Sequence, residues 1–191
     1  FSGSHVLVVQ WDSFILDPGA WDAAFLDYDY IGAPWPHRSQ PVGNGGFSLR
    51  SRRLIDALQD ADIRETQPED HVICLDYHDL LVARHGIRFA PVDVASRFAF
   101  ELTPPKGTTF GFHGFFNFHL ALPDPELLSY LAGVDRSVLF SMPARRLLKN
   151  LIDAGRHEPA RRIIDVRAGG NLKQRLDAFK LRCRLALRRL R

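Results

Sequence analysis

Every segment of this 191-residue chain with the character of a β-strand lies before Pro123, and everything after it has helical spacing. That division restricts the fold to an α/β body followed by an all-helical, basic tail. Charge follows a similar line. Residues 1–135 carry 9 Lys and Arg against 18 Asp and Glu, whereas residues 136–191 carry 16 against 4. The expected domains are residues 1–122 and 123–191. Hydrophobic residues at 46% and charged residues at 25% exclude a disordered chain. No run approaches the roughly 18 apolar residues of a membrane span. The two cysteines, Cys74 and Cys183, are too few for a disulfide framework or a cysteine-built zinc site. They suit a reducing compartment, so the expected location is cytoplasmic. The chain opens on Phe1 and its sole methionine is Met142, which reads as part of a longer product whose signal peptide, if any, is not judged.

Local signals fill in the body. The run His5–Gln10 predicts a buried strand ending at the polar tip Trp11-Asp12-Ser13. Phe14–Leu16 follows it, then Asp17-Pro-Gly19 as a turn and a short helical turn from Ala20 to Leu26. Tyr28–Gly32, Ile87–Ala90 and Phe98–Leu102 read as strands, and Thr109–Gly114 as a further element beside glycine. Ser51 is placed to cap a helix from Arg52 to about Ala61. Gln67–Asp70 opens a second helix of about fifteen residues that ends at Gly86.

Four features carry chemistry. Asp12 stands where a strand gives out into a loop, the place where open α/β sheets bind ligands; its plainer use is a cap. Gly43-Asn44-Gly45-Gly46 lets backbone approach a ligand closely, although it matches neither a Walker nor a dinucleotide fingerprint, and a tight turn is its simpler use. Glu69-Asp70 offers a general base with a neighbour to hold a hydroxyl, or merely carboxylates favoured by a helix start. His113 lies between glycines and aromatics in Phe110–Gly114, where little bulk is available to bury it. No clustered-histidine zinc motif exists, so a metal here is a hard ion held by few ligands.

Together the strings QWDS, DYIGAPW, VGNGGFSLRSRRL, PED, GIRFAP and FGFHG resemble, in that order, an uncharacterised glycosyltransferase-like family with a GT-A type fold. The resemblance covers about residues 5–120. It implies a partial GT-A-like, Rossmann-like mixed sheet with flanking helices, preceded in such enzymes by a nucleotide-binding half that this chain does not contain. It further implies transfer of a sugar from a nucleotide-sugar donor to a sugar, lipid-linked or protein acceptor, metal-assisted and inverting. Asp12 and His113 take the positions of ligands for Mn2+ or Mg2+, with Gln10 standing where such enzymes have the first acid of their metal motif. Gln10, Trp11, Gly43, Asn44, Gly45 and Gly46 fall on the substrate-binding segments. Asp70 falls at the base, with Glu69 as its companion. A non-catalytic carbohydrate-binding or scaffolding module of the same fold is the alternative, and an adaptor acting through its basic tail is a third.

In the tail, Leu172, Leu176, Phe179, Cys183, Leu187 and Leu190 make one stripe of a helix among 8 Lys and Arg and a single Asp in residues 171–191. Such a stripe docks on the body, pairs with a partner, or makes peripheral contact with an anionic membrane surface. Nucleic acid is not an expected partner, because aromatic residues are not interleaved with the basic ones.

Overall fold

The computed structural model describes residues 2–38 and 40–188; Leu190 of the expected stripe lies outside them. Two compact units divide between His113 and Gly114, whereas the sequence pattern put the change at about residue 122.

The first unit is mixed α/β and contains two three-stranded sheets. In the first, β4 (Phe47–Ser51) lies between β1 (His5–Val9) and β3 (Tyr30–Gly32), all antiparallel. In the second, β6 (Gly111–His113) is central, antiparallel to β2 (Ser13–Ile15) and parallel to β5 (Ala99–Phe100).

Strand β4 is buried along its length, and its two faces differ as a period of two requires. Phe47 and Leu49 enter one apolar cluster with Phe25, Phe98 and Phe110. Tyr30, paired with Arg50, faces a second cluster with Leu54, Ile73, Cys74 and Leu81. The expected buried strand β1 is instead a half-buried edge, with Val9 49% exposed. Among the described residues its ladder partner is β4 alone, so one side of it stays wet.

Ser51 caps α1 (Arg52–Ala57), its Oγ accepting from Leu54 N at 3.0 Å, and the helix is shorter than its spacing suggested. The single helix expected after Gln67 is three pieces: α2 (Glu69–His71), a π-helical turn over Val72–Asp76, and α3 (His78–His85), closed by Gly86 at φ 63°. The cause is burial of three consecutive residues, Val72, Ile73 and Cys74. On a regular α-helix those would sweep about 200° of the surface, which one face cannot bury. The strand expected over Ile87–Ala90 is reduced to a bridge between Tyr30 and Phe89. Here the carboxylate of Asp29 accepts from Arg88 N at 2.8 Å and from Ser51 Oγ at 2.6 Å, taking over a donor that a ladder would use. Helix α4 (Val92–Phe98) absorbs Phe98, leaving two residues for β5.

The second unit is helical: α5 (Phe118–Ala121), α6 (Asp124–Gly133), α7 (Met142–Asp153), α8 (His157–Ala168) and α9 (Leu172–Arg188). Its core is built from Leu127, Leu131, Leu147, Leu151, Ile152 and Ile163. Gly155, at φ 70°, turns the chain between α7 and α8 in a conformation other residues adopt at a cost. Helix α9 docks through Ala178, Leu181 and Leu185, not through the stripe singled out by spacing. The deciding contact is polar. Asp177 pairs with Arg145 at 2.7 Å and with the buried Arg167 at 3.2 Å, and a buried guanidinium demands such a partner. Turning α9 to bury the other stripe would pull Asp177 from both arginines. No helix among the described residues is long and apolar enough to cross a membrane.

Candidate functional site

The register of the second sheet assembles the site. Ser13 lies opposite His113 across the β2–β6 ladder, which puts Asp12 beside the imidazole. Phe100 lies opposite Phe112 in the parallel β5–β6 pair, so the next residue, Glu101, arrives on the other edge of the same ring. The distances follow: His113 Nε2 is 3.2 Å from Asp12 Oδ1, and His113 Nδ1 is 3.4 Å from Glu101 Oε1. Burial disfavours the charged ring, but the hydrogen bonds and negative charges of Asp12 and Glu101 outweigh it and raise the pKa of His113 to about 9.

Asn44 completes the cluster. It is buried and holds a left-handed backbone, φ 54°, which Asn tolerates better than most residues. Its Nδ2 donates to Glu101 Oε2 at 2.9 Å and lies 2.9 Å from His113 Nδ1. In the neutral ring with its proton on Nε2, that second contact is a hydrogen bond accepted by Nδ1; in the protonated ring Nδ1–H turns to Glu101. Asn44 Oδ1 is buried and has no hydrogen-bond partner among the described residues. Rotating the amide by half a turn exchanges an orphan acceptor for an orphan donor, so its outer end is unsatisfied either way. Leaving such a group unpaired costs about 1–3 kcal/mol.

The glycine loop packs between the elements that carry these acids. A Cβ on Gly46 would meet the His113 ring at 2.4 Å and Gln10 Oε1 at 2.9 Å. A Cβ on Gly45 would meet Arg50, Glu69 and Asp70 at 3.0–3.2 Å, and one on Gly43 would strike the Trp35 ring at 2.3 Å. Bulk is excluded at Gly43 and Gly46, whereas at Gly45 the neighbouring side chains would have to give by a few tenths of an ångström. Gly46 O accepts from Gln10 N and from Ser13 Oγ, both at 2.8 Å. Gly45 O accepts from Ser48 Oγ at 3.0 Å and from Arg50 at 3.3 Å.

Glu69 is committed to Arg50 in an ion pair. Asp70 Oδ1 accepts from His71 N at 2.9 Å, while neither acid caps the helix start, whose cap position is Pro68. Glu69 and Asp70 meet the loop at Gly45, and the His113 ring meets it at the next residue, Gly46. Trp11 stands out at the tip between β1 and β2, 59% exposed.

Glu101 also lines a cavity of about 540 Å³ in this unit, walled by Trp35, Pro36, Pro41, Phe100 and Pro105. Its size and largely apolar walls suit a small ligand, with Asp93, Ser96, Glu101, Thr103 and Lys106 as the polar groups. Glu101 and Arg50 escaped the sequence reading. Their signals were present: an acid directly after an apolar strand, as with Asp12, and a polar alternation, Ser48 and Arg50, inside a buried strand.

The set does not fit a divalent cation as arranged. Asp12 and Glu101 sit at opposite edges of the imidazole and do not converge on one point, and both ring nitrogens are engaged. Among the described residues no group of three or more His, Cys, Asp or Glu side chains is arranged to hold a metal ion.

The family model described as protein of unknown function (DUF5672) matches residues 1–113, more than half of the chain, and the chain belongs to that family. The match ends at the residue that closes the first compact unit. No curated protein and no solved structure matches the chain.

Proposed function

We propose that residues 1–113 form a glycosyltransferase-like site that moves a sugar from a nucleotide-sugar donor to an acceptor hydroxyl. The observation that carries this reading is the cavity of about 540 Å³ lined by Glu101, the same carboxylate that touches His113 beside Asp12 and Asn44. The cavity supports the same substrate class, because proline and aromatic walls suit the C–H face of a sugar ring while Glu101 takes a hydroxyl. The fold proposed for this unit is accordingly GT-A-like.

In the reaction, the acceptor oxygen forms a bond to the anomeric carbon, the bond from that carbon to the diphosphate breaks, and a carboxylate takes the acceptor proton. Glu101 is the carboxylate that both lines the cavity and touches His113, and the protonated imidazole offers positive charge to the departing diphosphate. Asp70, given the base role by its motif, meets the glycine loop at Gly45; Glu69 holds Arg50 and through it Gly45 O. The test is nucleoside diphosphate release from a panel of nucleotide sugars by the intact chain. Glu101→Gln is expected to lower turnover by at least about 100-fold. A loss confined to Asp70→Asn returns the base role to Asp70.

A second reading is a carbohydrate-binding module without turnover. It is favoured by the mutual satisfaction of Asp12, His113 and Glu101, which spends their charge on one another. Saturable binding of a nucleotide sugar or oligosaccharide with no product would decide for it.

A further inference from the structure

Helix α9 has two apolar faces, and only one of them is used. Ala178, Leu181 and Leu185 are buried against the second unit. Leu172, Leu176, Phe179 and Leu187 are 72%, 55%, 66% and 66% exposed, and Cys183 between them is exposed too. At about 100° per residue, Phe179 and Leu181 differ by roughly 200°, so the exposed stripe lies opposite the docked face. It runs about 22 Å along the helix, at 1.5 Å per residue.

The flanks are basic on both sides. By the same spacing Lys173 and Lys180 border one edge of the stripe and Arg175 the other. Among the described residues no ion pair joins any of these three to an acid. Arg182 is drawn to Asp165, and Arg184 and Arg188 to Asp153. The only acid on the helix, Asp177, faces inward to Arg145 and Arg167. The docked face therefore fixes the helix and leaves apolar side chains outward between unpaired cations.

We propose that this face of α9 is an in-plane anchor for an anionic lipid surface. Apolar side chains sink into the acyl boundary while Lys173, Arg175 and Lys180 reach up to negative headgroups, as amphipathic interfacial helices do. A second copy of the chain is the poorer occupant, because a paired stripe would bring two sets of unpaired cations together. The surface lies in the second unit and does not depend on the chemistry proposed for the first.

The structure supplies its own probe. Cys74 is buried, its thiol pushed up to about 12 by desolvation, so an environment-sensitive fluorophore couples to Cys183 on the stripe. The intact chain is mixed with phosphatidylcholine vesicles, with and without about 30% phosphatidylglycerol, and unlabelled chain is sedimented with the same vesicles. The expected result is a blue shift and co-sedimentation with anionic vesicles alone, suppressed at about 1 M salt, where charges are screened beyond roughly 3 Å. Lys173→Gln with Lys180→Gln, both exposed and away from the core, is expected to weaken binding about 25-fold, about fivefold for each cation. Phe179→Glu is expected to abolish it with helix content unchanged. Equal binding to neutral vesicles, or no binding with concentration-dependent self-association of the lipid-free chain, overturns the proposal.

Discussion

The charge state of His113 leads to a pH dependence that runs opposite to ordinary acid lability. Its pKa stands at about 9 in the folded chain, against about 6.5 in an unfolded one. The group's folded value is raised, so its contribution to stability is fully present below about pH 6.5 and is lost as pH climbs through 9. Before solvent screening that difference corresponds to between about 3 and 4 kcal/mol. The imidazole and both carboxylates are less than a fifth exposed, so solvent screening removes only part of that. The measurement is urea unfolding of the chain between pH 6 and 9.5, followed by a probe of the first unit, together with an NMR titration of the histidine rings. Wild type is expected to lose about 2–3 kcal/mol across that range, while His113→Gln is nearly level to about pH 8.5 and above it keeps only the smaller loss due to the buried Cys74 thiol, which ionises first in the unfolded chain. Glu101→Gln removes one of the two anions and is expected to bring the transition to lower pH. A His113 titration near 6.5, or the same slope in His113→Gln, would refute the account of a ring held charged between two acids.

Two further outcomes follow from the packing. Gly46→Ala puts a methyl group 2.4 Å from the His113 ring, so it is expected to destabilise the chain by about 1–3 kcal/mol and to flatten the same pH profile; Gly107→Ala, with nothing within 4 Å, is the control expected to be neutral in urea unfolding. Asp177→Asn leaves the buried Arg167 without its counter-charge and is expected to cost about 3 kcal/mol, seen by circular dichroism as earlier melting of the helical unit.

How much of this was legible beforehand differs by level. The change from mixed α/β to all-helical character was readable because strand and helix impose different periods on apolar residues, and the body and tail keep those periods apart. The Ser51 cap and the Gly86 terminus were readable from local chemistry, a hydroxyl before a helical run and a glycine after it. Asp12, the glycine loop and His113 were singled out because each breaks its local pattern: an acid at a strand tip, glycines where side chains would pack, a histidine between glycines.

Partnership was beyond local pattern. Asp12 and Glu101 meet His113 because β6 takes the central place in its sheet, and strand order is a long-range decision. The ion pair of Glu69 with Arg50 depends likewise on the pairing of β4 with β3, which sets the face that carries Arg50. The tail makes the sharpest contrast. Spacing alone found an apolar stripe on α9, but two stripes compete there, and hydrophobicity does not rank them. Arg167 ranks them, since a guanidinium buried between helices needs the carboxylate of Asp177, and that one ion pair turns the helix so that the longer stripe faces outward.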